Sequence, residues 1–284
     1  MAAARGAEKR VRVDDVEVAY EEWGAGDRPF VLVHGFTGST DDWREVLPAL
    51  GEYGRTLAPD LRGHGGTGNP GDSGSYGFER LVADLAGFAD AAGAPRFDLL
   101  GHSLGGMVAL RFALAHPERV ASLVLMDTSA EPVRGEMRPV FEAAGKIARE
   151  EGMDVLYEAL REQTRSDPER AASARHVIAA LGEEAYWERI RAKLEAMDPE
   201  AFAVLGLLLA EHEGVGERLG EIAVPTLVLV GEDDEPFLEP SERLARGIRE
   251  TRHVVIPQAA HSPQLANTRA WLDAVLAHLE RARA

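Results

Sequence analysis

A serine at position 103 stands in a segment whose spacing suits nucleophilic catalysis. The segment is Gly-His-Ser-Leu-Gly-Gly, residues 101–106. It follows the strand-like residues 97–100 and precedes a helical pattern that starts near Gly106. Gly-x-Ser-x-Gly between a strand and a helix is typical of a sharp turn that lifts the serine hydroxyl clear of a sheet. Glycines at 101 and 105 let the strand and the helix approach, while the serine takes a strained backbone conformation. The spacing therefore predicts that Ser103 is a nucleophile.

A base must remove the proton of Ser103, and His261 is the best placed of the chain's nine histidines. His261 follows the last strand-like run, residues 253–257, in a loop at the edge where Ser103 should emerge. Serine, then acid, then histidine is the chain order expected on this kind of sheet. The other histidines stand in turns, in helical patterns, at the start of a strand or in the segment 131–219: His34, His64, His102, His116, His176, His212, His253 and His278.

A carboxylate is needed to hold His261 in one tautomer and to stabilise its cation. Asp233 and Asp234 both follow the apolar run 226–231. We favour Asp234, because it is the third residue beyond Gly231 and directly precedes Glu235-Pro236. Asp233 remains an alternative, and so does Asp127, which ends the apolar run 120–126.

Two glycine-rich segments outside this set invite a functional interpretation. The apolar residues 31–33 lead into His-Gly-Phe-Thr-Gly, residues 34–38, where the glycines let the chain turn and the backbone amides could have a further use. Residues 63–68, Gly-His-Gly-Gly-Thr-Gly, match the dinucleotide-binding fingerprint letter for letter. That fingerprint requires a helix to begin there, and Asn-Pro-Gly follows instead, so we predict no nucleotide site.

Strand-like and helical segments alternate along most of the chain. Residues 11–23 alternate in polarity, as expected for a hairpin at a sheet edge. Short apolar runs follow within 30–35, 54–65, 96–103, 120–129, 224–234 and 252–261, with helical patterns at 79–93, 105–117 and 269–284. This order predicts an α/β fold with a mostly parallel sheet and helices on both faces.

One segment, residues 131–219, breaks the alternation. It lacks a convincing strand and is rich in Glu, Arg, Ala and Leu, so we expect several helices. Ligands of open α/β sheets bind outside the carboxyl ends of the strands. We therefore predict a core formed by residues 1–130 and 220–284, with 131–219 inserted as a helical cap over the catalytic edge. The apolar residues 201–210 should mainly pack within the cap, with a use in an acyl pocket as the alternative.

Composition excludes several classes of function. The 284 residues contain no cysteine, so disulfides, thiolate metal sites and cysteine nucleophiles are ruled out. A net charge of −17 argues against nucleic acid and anionic membranes as partners. The longest apolar run has ten residues, too few to span a bilayer, and residues 1–10 lack the apolar region of a signal peptide. We expect a soluble cytoplasmic protein with a small-molecule substrate; the oligomeric state stays open.

The motifs together resemble the α/β-hydrolase superfamily. They are VLVHGFTGS (31–39), APDLRGHGGTGNP (58–70), LLGHSLGGMVAL (99–110), LVLVGEDDEPF (227–237) and VVIPQAAHSPQL (254–265). The resemblance implies an eight-stranded, mostly parallel sheet, with Ser103 as nucleophile, Asp234 as acid and His261 as base. It also implies an oxyanion hole formed by the backbone N–H groups of Phe36 and Leu104. No cofactor or metal is implied.

Departures from the patterns of individual subfamilies narrow the range of reactions that we expect for this chain. Position 103 is not the aspartate of haloalkane dehalogenases and epoxide hydrolases, and HGFTGS lacks the proline usual in proline iminopeptidases and carbon–carbon bond hydrolases. The menaquinone-pathway lyase is similar around HGFTGS, but it usually carries an arginine four residues after the serine, where this chain has Met107. Esterases and enol-lactonase-like lactonases resemble the chain best, so we expect hydrolysis of a small ester or lactone. The lyase and a non-catalytic ligand-binding protein are the alternatives.

Overall fold

Eight strands form one sheet in the computed structural model, which describes residues 6–132 and 137–284. Their spatial order is β1-β2-β4-β3-β5-β6-β7-β8. Strands β1 and β2 form an antiparallel hairpin and β2 pairs antiparallel with β4, whereas all later pairs are parallel. The bounds are β1 Ala7–Val13, β2 Val16–Trp23, β3 Phe30–Val33, β4 Thr56–Pro59, β5 Phe97–His102, β6 Val120–Met126, β7 Thr226–Gly231 and β8 Thr251–Ile256. The predicted mostly parallel sheet and its edge hairpin are confirmed.

The helices lie on both faces of the sheet and along one edge of it. Strands β3 to β7 are buried along their whole length, because helices cover both of their faces. Successive residues of β3 serve the two sides: Val31 and Val33 join one apolar layer, and Leu32 joins the other. The helices are α1 Leu47–Tyr53, α2 Phe78–Ala91, α3 Leu104–Ala115, α4 Arg138–Glu150, α5 Met153–Ser166, α6 Pro168–Leu181, α7 Glu183–Glu195, α8 Pro199–Ala210, α9 Glu235–Gly247, α10 Pro263–Ala266 and α11 Thr268–Arg283.

Helices α4 to α8 connect β6 to β7 and account for most of the predicted insertion. Between residues 137 and 219 the chain contains helices, turns and irregular segments but no strand, as its composition indicates. Phe36, in the loop after β3, packs its ring against Phe141 of α4 and Phe202 of α8. The helices therefore cover the loops at the carboxyl edge of the sheet. The unit boundaries at 131 and 219 stay a prediction, and residues 1–5 and 133–136 lie outside the described residues.

No helix within residues 6–132 and 137–284 combines the length and the apolar character needed to cross a membrane.

Candidate active site

Ser103 lies on the sharp turn between β5 and α3. Its φ of 52° and ψ of −117° are a conformation that non-glycine residues rarely adopt. A Cβ on Gly101 would lie 2.2 Å from the carbonyl oxygen of Gly105, and one on Gly105 would lie 2.4 Å from the carbonyl oxygens of Val33 and His34. Both glycines are therefore required sterically. Helix α3 begins at Leu104, two residues earlier than the pattern indicated, because the Ser103 carbonyl already accepts from the Gly106 and Met107 N–H groups.

His261 connects Ser103 to Asp234. Its Nε2 lies 3.0 Å from the Ser103 Oγ, and its Nδ1 lies 2.8 Å from Asp234 Oδ2. Asp234 follows β7 and is 4% exposed, and His261 follows β8, so the three side chains come from the carboxyl ends of β5, β7 and β8 on one edge of the sheet. The Phe237 ring stacks on the imidazole, with centroids 4.9 Å apart and 27° between the planes. This stacking fixes the plane in which His261 faces both partners.

Burial and the neighbouring charge have opposite effects on the pKa values of His261 and Asp234. Burial lowers the pKa of His261, but the adjacent Asp234 carboxylate outweighs it and raises that pKa above its ordinary value. For Asp234, burial raises the pKa, and His261 reverses the effect so that the pKa falls below its ordinary value. Asp234 therefore stays ionised, and His261 loses its proton at a higher pH than an ordinary histidine does.

The other two acid candidates have different partners. Asp233 Oδ2 lies 2.7 Å from Arg175 Nη2 and 2.6 Å from His176 Nε2, both on α6. It therefore ties an inserted helix to the loop after β7. Asp127 is fully buried at the end of β6, and its Oδ1 accepts from the Gly231 N–H at 2.9 Å. Of the three aspartates, the structure brings Asp234 into hydrogen-bond contact with His261.

The turn at residues 34–38 is held by a buried histidine. His34 donates from Nδ1 to the Gly35 carbonyl oxygen at 2.8 Å and accepts at Nε2 from the Leu61 N–H at 2.9 Å. Burial, and then nearby His64, lowers the pKa of His34 to about 3, so it stays neutral. The Gly35 carbonyl also accepts from the Gly38 N–H at 3.1 Å.

Fixing the Gly35 carbonyl also fixes the N–H of Phe36. A peptide unit is planar, so its carbonyl and its N–H turn together. Among the residues that the structure describes, no acceptor takes the N–H of Phe36 or that of Leu104. A Cβ added to Gly35 would lie 3.2 Å from the Ser103 Cβ, which places the turn directly against the serine. Both donors predicted for an oxyanion hole are thus beside Ser103 and unused.

His102 lies between Gly101 and Ser103, at the end of β5. Its Nε2 donates to the His261 carbonyl oxygen at 2.7 Å and so anchors the loop that carries the base. Burial, followed by the proximity of His261, lowers the pKa of His102 to about 3. Nothing local in the sequence indicates this contact, because the two residues are 159 positions apart.

A cavity of about 470 Å³ opens onto Ser103 and His261. Helices α4 to α8 contribute much of its wall, including Leu209, the part of the apolar run 201–210 that reaches the cavity. Other members of that run pack inside, as expected; Phe202 and Leu205 are 3% or less exposed. The apolar lining comprises Phe36, Phe141, Ala174, Val177, Leu181, Tyr186, Ile190, Leu209, Phe237 and Leu265.

Three cations also line the cavity, and each has an acidic partner. Lys193 Nζ lies 2.7 Å from Asp42 Oδ1. The Arg189 guanidinium lies 2.8 Å from both Asp41 and Glu45. Arg170 Nε lies 3.7 Å from Asp167 Oδ2, so each of the three cations is next to a carboxylate.

The segment 63–68 forms a turn around a carboxylate. The Gly66 N–H donates to Asp60 Oδ2 at 2.7 Å, and Thr67 Oγ1 donates to the Asp60 carbonyl at 2.8 Å. The next long helix, α2, begins only at Phe78. The expectation that no helix starts at this fingerprint is confirmed.

Asp127, Asp234 and His261 place ligand atoms within 4.8 Å of one another, the geometry of a group that could hold a cation. Asp234 and His261 already bind each other, and Asp127 binds the Gly231 N–H, so these contacts give each residue another role. That the chain needs neither metal nor cofactor stays a prediction.

Comparison with known proteins finds a matching family model, similar sequences and similar structures. The family model described as "alpha/beta hydrolase fold" matches residues 28–268. The 2-hydroxy-6-oxo-2,4-heptadienoate hydrolase of Pseudomonas putida is 32% identical over 278 residues, 94% of each chain. The structure of a thermophilic esterase from Thermogutta terrifontis superposes with a TM-score of 0.79 at 30% identity, covering 99% of this chain and 100% of that one. The enol-lactonase of Burkholderia xenovorans superposes at 0.80 and 24% identity, over 96% and 100% of the two chains, which shows a shared fold.

Proposed function

The chain belongs to the α/β-hydrolase family, and we propose that it hydrolyses a small, uncharged carboxylic ester or lactone through an acyl-enzyme on Ser103. The observation that carries this proposal is the hydrogen-bond series from Ser103 Oγ through His261 to Asp234, at 3.0 and 2.8 Å, beside two N–H groups without acceptors in the described chain. A serine, a base and an orienting acid in this arrangement are the components of acyl transfer.

The first half-reaction forms the acyl-enzyme. Ser103 Oγ attacks the carbonyl carbon while its proton passes to His261 Nε2. The carbonyl oxygen becomes negative and receives the N–H groups of Phe36 and Leu104. When the carbon–oxygen bond to the leaving group breaks, His261 returns the proton to the departing alcohol oxygen. A single oxyanion donor contributes roughly 10²–10³ in rate in comparable enzymes.

The second half-reaction releases the acid. Water attacks the acyl carbon and gives a proton to His261 Nε2, and the collapse of the tetrahedral intermediate returns that proton to Ser103 Oγ. Asp234 stays ionised throughout and stabilises the imidazolium in both halves. In a lactone the alcohol and the acid belong to one molecule, so the product is a single hydroxy acid.

The charges of the cavity support an uncharged substrate. Lys193 Nζ lies 2.7 Å from Asp42, and Arg189 Nε and Nη2 lie 2.8 Å from Asp41 and Glu45, so carboxylates of the protein already balance the charge of both cations. A substrate carboxylate would also meet Asp42, which lines the cavity. Met107, at the position where the related lyase carries arginine, is fully buried. These features favour the ester or lactone over the anionic substrate of a lyase.

Hydrolysis of a graded substrate panel tests the proposal. The panel contains p-nitrophenyl esters of increasing acyl length, unsubstituted lactones, and matched esters that carry a terminal carboxylate, with Ser103→Ala as the control. We expect turnover of the uncharged members, with kcat/KM at least about tenfold higher than for the charged ones. A dedicated lyase or a ligand-binding protein would leave all uncharged esters and lactones intact, and this result would refute the proposal.

A further inference from the structure

Asp127 is a buried acidic residue that the proposed reaction does not use. It is 0% exposed, at the end of β6, and its φ of 46° is unusual for a residue with a side chain. Its backbone N–H donates to the Leu229 carbonyl at 3.0 Å, and its Oδ1 accepts from the Gly231 N–H at 2.9 Å. The side chain is thus held between β6 and β7, the two strands that lead to Asp127 and Asp234.

The second oxygen of Asp127 faces another carboxylate. Within the described residues Oδ2 is buried and meets no N–H or O–H donor. It lies in the group formed with Asp234 and His261, in which one ligand atom of each residue lies within 4.8 Å of the others, so the two carboxyl groups are close neighbours out of water. A hydrogen bond between two carboxyl groups requires a proton on one of them.

Electrostatics decides which carboxyl group keeps that proton. Two carboxylates in contact and out of water cannot both be ionised. Asp234 has the His261 Nδ1–H at 2.8 Å to stabilise its charge, whereas Asp127 has one backbone N–H. Burial and the Asp234 charge both raise the pKa of Asp127 well above its ordinary value. The other titratable groups near His261 are His102, which is neutral, and Asp42, which is paired with Lys193.

We propose that Asp127 is a positioning residue for the reaction inferred above: it is a neutral carboxylic acid that donates its O–H to Asp234. The bond holds the Asp234 carboxylate in the orientation that faces His261 Nδ1. It also draws charge from that carboxylate, so His261 is less basic than it would be beside an unshared aspartate. The inference rests on the proposed function in one respect, because positioning matters only if His261 acts as a base.

Comparison of the variants Asp127→Asn and Asp127→Ala shows whether Asp127 is a neutral acid that donates a hydrogen bond or an ionised carboxylate. An asparagine can donate its amide N–H to Asp234 and still accept from the Gly231 N–H. We therefore expect Asp127→Asn to keep kcat within about threefold and the pKa of His261 within about 0.3 units. Asp127→Ala removes the donor, so kcat should fall about tenfold or more and the pKa of His261 should rise.

His261 is followed by NMR titration of its imidazole in the full chain, which needs no turnover, alongside the pH dependence of kcat. A drop of about half a unit or more in the His261 pKa of Asp127→Asn would show that Asp127 is an anion and would overturn the proposal. A folded Asp127→Ala with unchanged kcat and unchanged His261 pKa would show a packing role only and would also overturn it.

Two further outcomes remain decisive. If Asp127→Ala does not fold, the titration of Asp127→Asn alone decides, because the neutral and anionic accounts give it different His261 pKa values. If the wild type hydrolyses no ester or lactone, the proposed function fails, while the titration still shows whether Asp127 carries the proton.

Discussion

His34 Nδ1 lies 2.8 Å from the carbonyl oxygen of Gly35, and this contact orients the peptide unit whose N–H belongs to Phe36. A buried neutral histidine thus fixes the direction of a backbone donor beside Ser103 without touching a substrate. The relation explains why a histidine and a glycine follow the apolar strand β3: the histidine fixes the direction of the Phe36 N–H, and the glycine leaves room for Ser103.

Substitutions of His34 should distinguish the role of its Nδ1 from that of its Nε2. Asparagine retains an N–H near the position of Nδ1, whereas glutamine places its amide near Nε2 and removes the bond to the Gly35 carbonyl. We expect His34→Gln to have a kcat about tenfold below that of His34→Asn, a fraction of the effect of losing an oxyanion donor outright. Steady-state kinetics on a short ester measures kcat and KM, and thermal melts correct for instability. Equal kcat values for the two variants would contradict the role given to Nδ1.

Phe36 contributes its backbone to the reaction and its side chain to packing. Proline at position 36 removes the N–H and should lower kcat by roughly 10² or more. Phe36→Leu keeps the N–H and an apolar side chain against Phe141 and Phe202, so we expect it to retain most of the activity. The kcat ratio of the two variants, at equal folded fractions by circular dichroism, is the measurement. A leucine variant as impaired as the proline variant would place the effect in the side chain.

Asp233 and Asp234 form a matched pair of neighbouring aspartates. Asp234→Asn leaves His261 without its carboxylate and should lower kcat by roughly 10⁴, the scale found when a triad acid is replaced in this way. Asp233→Asn weakens the contacts to Arg175 and His176 on α6, so KM should change while kcat stays within about tenfold. Comparable losses of kcat in both variants would show that the assignment of the acid to Asp234 is wrong.

The pH dependence follows from the raised pKa of His261. Protonated His261 cannot accept the Ser103 proton, so kcat/KM should fall as the pH drops through a pKa above the ordinary value of 6.5. His34 and His102, with pKa values of about 3, stay neutral over this range and do not contribute. The profile is measured between pH 5 and 9 with a neutral ester. A flat profile, or an acidic limb centred below 6.5, would contradict His261 as the base.

Local sequence patterns predicted the sheet and the nucleophile turn, because a few consecutive residues determine each strand and the turn. The strands β3 and β5 to β7 are apolar runs, since each is buried on both faces, and the glycines at 101 and 105 mark a close approach that permits no side chain. The choice of Asp234 over Asp233 used its distance from Gly231, where β7 ends, and its place directly before Glu235-Pro236.

Contacts between residues far apart in the chain could not be predicted, because they leave no local pattern in the sequence. His102 reaches the His261 carbonyl across 159 positions, and Lys193 reaches Asp42 across 151. Asp127 and Asp234 become neighbours only because β6 and β7 pair in the sheet. Charges on α7 look like solvent-exposed helix residues in the sequence, and only the packing of α7 over the β3 loop turns them toward the cavity.

The identity of the nucleophile is the central claim, and the mass of the protein after incubation with a fluorophosphonate tests it most directly. We predict a single adduct on the wild type, located at Ser103 by peptide mapping, and none on Ser103→Ala under the same conditions. An unlabelled wild type, or an adduct that persists in Ser103→Ala, would contradict the account.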